Sequence, residues 1–140
     1  MNRKMKPKKR WVLATGRNSK VKLSDWQKAE LENRCQPLLE KFKQQYLKEN
    51  PDKRYNYLTD IFIKWRGNYL HFCQKFKSEH PAMIKPEFEE SFVRLEYLGS
   101  DNFNLSYFRH TGAWFPVANN LTLNDCLEMI ESNPNFHPIG

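Results

Sequence analysis

The chain has 140 residues, of which 39% are hydrophobic and 14% aromatic, and carries a formal net charge of +7. That length suits a single domain closing one core without metal or disulfide staples, and no apolar run approaches the ~18 residues of a membrane span. Three widely spaced cysteines, Cys35, Cys73 and Cys126, with no secretory apolar segment before them, predict a reduced cytoplasmic setting.

The charge is segregated. Residues 1–22 hold nine of the 23 basic residues (Arg3, Lys4, Lys6, Lys8, Lys9, Arg10, Arg17, Lys20 and Lys22) and no acid. The remaining fourteen face all 16 acidic residues, so the body is close to neutral. Apart from Trp11-Val12-Leu13-Ala14, this arm cannot bury enough surface to offset its ordering entropy, and disorder is the expectation. Residues 23–140 are expected to form one α+β domain.

Ser24 and Gln27 have capping-box spacing, so a helix is predicted to start there. Trp26, Ala29, Leu38, Leu39, Phe42 and Tyr46 form its apolar stripe. Pro37 predicts a kink or break near Cys35-Gln36, because proline lacks a backbone donor and clashes with the preceding turn.

Tyr57 to Lys77 reads as a hairpin about Gly67-Asn68. Counting outward pairs Trp65 with Leu70, Ile63 with Phe72 and Ile61 with Gln74 on a core face. Lys64 pairs with His71, Phe62 with Cys73 and Asp60 with Lys75 on the other. Ser78 to Ser91, with two prolines and four glutamates, is predicted to be a connection and a resting place for the basic arm.

Phe92 to Val117 then reads as three antiparallel strands with two-residue turns at Ser100-Asp101 and Thr111-Gly112. That count sets Tyr107 opposite Arg94 and Arg109 opposite Trp114. It puts Val93, Leu95, Tyr97, Phe108, Phe115 and Val117 in the core, and Arg94, Glu96, Tyr107, Arg109 and Trp114 on the outer face. Phe92, Leu98, Phe103 and Leu105 fall on that outer face too, making it unusually apolar for open solvent. Thr122 caps a last helix to Ser132 with Leu123, Leu127 and Ile130 inward, and Phe136 is expected to pack back on the body. The predicted fold is therefore α+β, with helices on one face of a five-stranded antiparallel sheet.

The chemistry is sparse. His71 and Cys73 are the one close pair of metal-ligating types on a strand face, and no C-x-x-C or H-x-x-x-H spacing accompanies them, so no metal is predicted. The five glycines are scattered, without a phosphate loop, and no cofactor is expected. The arm fits phosphate, with Trp11 stacking on a base. Arg94, Tyr107, Arg109, His110 and Trp114 form a docking face suited to stacked bases or to a protein. The expectation is a non-enzymatic accessory subunit of a nucleoprotein complex that binds RNA rather than DNA. The alternatives are a protein-interaction module with a solubilising tail and, third, an enzyme using Arg109 and His110, which would require a pocket at that hairpin tip.

L-E-Y-L-G from Leu95 to Gly99, F-N-L-S-Y-F-R-H-T-G-A-W from Phe103 to Trp114, L-T-L-N-D-C-L-E-M-I from Leu121 to Ile130 and N-F-H-P from Asn135 to Pro138 resemble a group of small uncharacterised cyanobacterial proteins. The resemblance covers roughly the last third of the chain. It implies a bacterial cytoplasmic setting and carries no activity or catalytic residue with it.

Overall fold

The computed structural model describes residues 22–82 and 85–139. Its elements are α1 (Asp25–Tyr46), β1 (Tyr57–Arg66), β2 (Tyr69–Lys77), β3 (Glu87–Gly99), β4 (Asn102–Phe108), β5 (Trp114–Leu121), α2 (Leu123–Ser132) and a 3-10 turn, Pro134–Phe136. The expected arm, residues 1–22, lies outside the described residues except for exposed Lys22.

The five strands form one antiparallel meander in sequence order, and both helices press on the same face of it. One cluster joins Cys35, Leu38, Leu39 and Phe42 of α1 to Ile61, Leu70, Phe72, Val93, Leu95, Phe103 and Leu105 of the sheet, and to Leu123, Cys126 and Ile130 of α2. Phe136 closes the cluster from the C-terminal side, as its sequence position predicts. It is fully buried, its ring centroid 5.4 Å from that of Tyr107. Ile139 N donates to Oε1 of buried Gln74 at 2.9 Å, tying the tail to β2.

Helix α1 begins as predicted: Gln27 N donates to Ser24 Oγ and Ser24 N to Gln27 Oε1, at 3.1 and 2.9 Å. The expected break at Cys35-Gln36 is absent, and α1 runs unbroken for 22 residues. Pro37 and Asn33, whose carbonyl loses its donor, are both exposed, so the group that proline leaves free faces solvent rather than the core. The buried stripe is narrower than predicted, since Trp26 is 72% exposed and Cys35 takes its place inward. Arg34 Nη2 to Asn124 Oδ1 (2.9 Å) and Lys41 to Glu131 (2.6 Å) join α1 to α2 along their exposed edge.

The β1–β2 register agrees with the count from Gly67-Asn68 at all six predicted pairs. Gly67 has φ +58°, the conformation a glycine-first two-residue turn requires. Strand β3 corrects the reading of Ser78 to Ser91 as a connection, because Glu87 to Ser91 already belong to it. Cross-strand lysines make an acidic strand tenable there. Glu89 lies opposite Lys75 and Glu87 opposite Lys77, while Lys64 Nζ reaches Glu89 Oε1 at 2.9 Å.

The other two predicted registers are each off by one residue. Ser100 and Asp101, at φ +50° and +57°, make the expected turn, but Gly99 (φ +100°) leaves an extra residue, and the pairing steps from Gly99–Asn102 to Tyr97–Phe103. The next loop has three residues, not two. Arg109 N bonds Ala113 O, Gly112 N bonds Arg109 O, and Gly112 takes the left-handed position at φ +89°. Arg94 therefore pairs with Ser106, and Tyr107 with Val93 and Phe115. Tyr107 moves to the helix side. Phe108 goes to the outer face and is 43% exposed, and Phe115, predicted as core, is 38% exposed. Phe92, Phe103 and Leu105 move into the core, which removes the excess apolarity predicted for the outer face.

Replacing Pro37 with Ala restores the missing helical donor at an exposed site. Pro37→Ala is expected to raise the unfolding free energy by about 1–3 kcal/mol in urea denaturation; a decrease would mean that the ring packs rather than interrupts.

Candidate nucleic-acid interface

The face of the sheet away from the helices is built in rows fixed by strand pairing. One row runs Lys64, His71, Arg94, Ser106 and Pro116 across β1 to β5. The next runs Arg66, Tyr69, Glu96 and Asn104, with Asn104 Nδ2 donating to Glu96 Oε1 at 3.2 Å.

Arg94 is the centre of this surface. Its guanidinium carbon lies 4.7 Å from the ring centroid of Tyr69 and 4.5 Å from that of Trp114. Tyr69 is one strand away on β2, whereas Trp114 is two strands away on β5. The indole must therefore lie across β4, whose outward-facing Ser106 is small and only 8% exposed. The same reach brings Trp114 to 5.7 Å from the ring of His71, and Phe108 packs edge-on against Trp114 at 5.2 Å. Each cation–ring contact is worth about 0.5–2 kcal/mol, rising as water is excluded.

His71 lies beneath these groups, 7% exposed, with a buried Nδ1 that has no hydrogen-bond partner. Burial, then the charges of Arg66, Arg94 and Lys64, push its pKa from 6.5 down to about 4, so the imidazole is neutral at pH 7. Lys64 and Lys75 have carboxylates nearby in Glu89 and Glu87, and Arg66, Arg94 and Lys64 are the cations whose charge acts on His71.

The five residues expected to share a docking face divide into two groups. Arg94 and Trp114 lie together on the outer face, where Arg94 stacks on Trp114 and Tyr69, not on Tyr107. Tyr107 faces Phe136 and Phe115, and Arg109 stacks on Phe115 at 4.3 Å. Tyr107, Arg109 and His110 line a cleft of about 520 Å³ with Asn135 and His137. His137 Nε2 lies 2.9 Å from the Glu131 carbonyl and must donate to it, so its Nδ1 accepts the Tyr46 hydroxyl at 2.7 Å. Tyr69 was missing from the predicted face because it arrives from the other hairpin. The signal was present, since one further step along the Lys64–His71 pairing brings Arg66 and Tyr69 to the same side.

The cysteines offer no activated nucleophile. Burial raises all three, Cys35 and Cys126 to about 12, holding them as thiols. No group of three metal-ligating side chains occurs among the described residues, and none of the described helices is long and apolar enough to cross a membrane.

Neutral His71 has a measurable consequence. The unfolded chain takes up a proton near pH 6.5, and the folded chain does so only near pH 4. This group's contribution is constant above that window, declines as pH falls through it, and is flat below. The loss is roughly 3 kcal/mol at about 1.36 kcal/mol per unit. Urea midpoints at pH 7, 5.5 and 4 are expected to show it, and His71→Phe to remove that part of the decline.

A family model described as a domain of unknown function, DUF3024, matches residues 23–138. No curated protein and no solved structure matches the chain. The α+β body, with both its outer sheet face and its hairpin-tip cleft, falls inside the matched span, and the chain belongs to the DUF3024 family.

Proposed function

We propose that the protein binds single-stranded nucleic acid, RNA in preference to DNA, as a non-enzymatic accessory subunit of a nucleoprotein complex. The observation that carries this reading is the cluster of Arg94, Tyr69 and Trp114 on the sheet face opposite both described helices, beside Arg66 and Lys64. Aromatic rings supply stacking platforms that tolerate any base, and the cations supply backbone attraction. The arm, through Arg3, Lys4, Lys6, Lys8, Lys9, Arg10, Arg17, Lys20 and Lys22, adds phosphate contacts, with Trp11 as a further stacking group. The two parts do different work, because the arm sets affinity through counterion release and the face holds the bases.

A second reading rests on the cleft at the hairpin tip. Arg109 and His110 border about 520 Å³ of space with Tyr107 and Asn135, which suits a small anion or an enzymatic site that the nucleic-acid reading does not need.

Fluorescence anisotropy with a labelled single-stranded RNA tests the first reading. Affinity is expected to fall steeply with salt, with a slope near −4 for about six phosphate contacts. Deleting residues 1–22 is expected to reduce that slope, and Trp114→Ala to weaken binding roughly 5- to 150-fold with the slope retained, as the loss of one stacked base of about 1–3 kcal/mol implies. Absence of binding at low salt would overturn it. Recovery from cells of protein partners alone, stable to nuclease, would favour a protein-docking face instead.

A further inference from the structure

We infer that Arg94 is a displaceable plug in a slot for one unpaired nucleobase, with Tyr69 and Trp114 as its walls and His71 as its floor. This deepens the nucleic-acid reading and rests on it. The guanidinium is planar, and its carbon lies 4.7 and 4.5 Å from the centroids of two rings, one carried by β2 and the other by β5. Their centres therefore stand at most about 9 Å apart. A planar base between two rings at van der Waals spacing, ~3.5–4.0 Å on each side, needs about 7–8 Å. That upper bound leaves room for a base in the place where the arginine head now lies.

The floor supplies the second, independent observation. His71 pairs across the strands with Arg94 and has its ring 6.2 Å from that of Tyr69 and 5.7 Å from that of Trp114. Its buried Nδ1 has no partner. An orphaned buried ring nitrogen destabilises the fold unless something completes it. A base edge carries both donors and acceptors, so it can satisfy the imidazole in either tautomer. Entry of the base expels the guanidinium, which stays tethered at the mouth of the slot where the nucleotide's phosphate leaves it. Arg94 therefore opposes a neutral nucleoside and assists a nucleotide.

That opposition in sign is the test. Full-length protein is titrated with adenosine and with adenosine monophosphate by calorimetry. The wild type is expected to prefer the monophosphate. Arg94→Ala is expected to bind adenosine at least about 10-fold more tightly than wild type and to lose the preference for phosphate. Trp114→Ala is expected to abolish adenosine binding in either background. His71→Phe, which keeps an aromatic floor and so guards against an unfolded variant, is expected to weaken adenosine binding to the Arg94→Ala protein about 10-fold.

Unchanged or weaker adenosine binding by a folded Arg94→Ala protein overturns the slot, as does indifference to His71→Phe. If RNA binding and its salt slope persist in that case, the slot fails and the nucleic-acid function stands. If adenosine enters the opened slot while RNA does not bind, the slot stands without that function.

Discussion

Both helices and the C-terminal turn pack on one side of a five-stranded meander, and that one-sided burial decides the character of every other position. Inward residues must be apolar and close-fitting, from Ile61 on β1 to Leu105 on β4. Outward residues have to keep stable the opposite face, which neither described helix covers. Strand alternation alone does not divide this sequence so cleanly, because Phe92, Phe103 and Leu105 fall on the wrong parity when counted from the turns. Extra residues near Leu98-Gly99 and between Phe72–Val93 and Cys73–Ser91 restore the division. Each is an irregularity of one residue, and together they turn a strand set of mixed parity into a sheet with a dry face and a wet one.

The wet face is organised by side chains lying along it rather than standing away from it. Ser106 is small enough for Trp114 to cross β4, and the indole thereby reaches Arg94 and His71. The aromatic and guanidinium groups shield the imidazole from water, and the three cations around it add to that burial in keeping it neutral. Such a surface is stable as it stands, with the arginine satisfying the rings, and it leaves one buried nitrogen unsatisfied. Structure and chemistry thus point to the same few residues from different directions.

Much of this was legible in the sequence, and the boundary of legibility has physical causes. The α+β layout, the capped starts of both helices, the burial of Phe136 and the β1–β2 register from Asp60–Lys75 to Trp65–Leu70 follow from capping signatures, aromatic spacing and a glycine-led turn. Tyr107 and Phe108 were exchanged between faces because one bulge and one three-residue loop are not countable from the residues that flank them. The sequence did contain a warning, since the predicted outer face was too apolar, and a shift of one residue cures that excess. Of the predicted face, Arg94 and Trp114 stand on it, whereas Tyr107, Arg109 and His110 belong to the cleft beyond the hairpin tip. Pro37 misled for a different reason. Its penalty is real, but it falls on the exposed side of α1, where it faces solvent and the buried stripe holds the helix together.

The ends of the sheet bear on how this protein can associate. Strand β5 is an outer strand, and Pro116 gives it no donor at one position while Asn120, at φ +58°, turns the backbone out of line. A foreign strand aligning there meets an interrupted row of hydrogen-bonding groups, which is how natural sheets discourage uncontrolled edge-to-edge growth. Extension of the sheet by a partner's strand is thus disfavoured at β5. A partner approaching this side of the molecule is directed to the side chains of the broad face instead of to the backbone of its border.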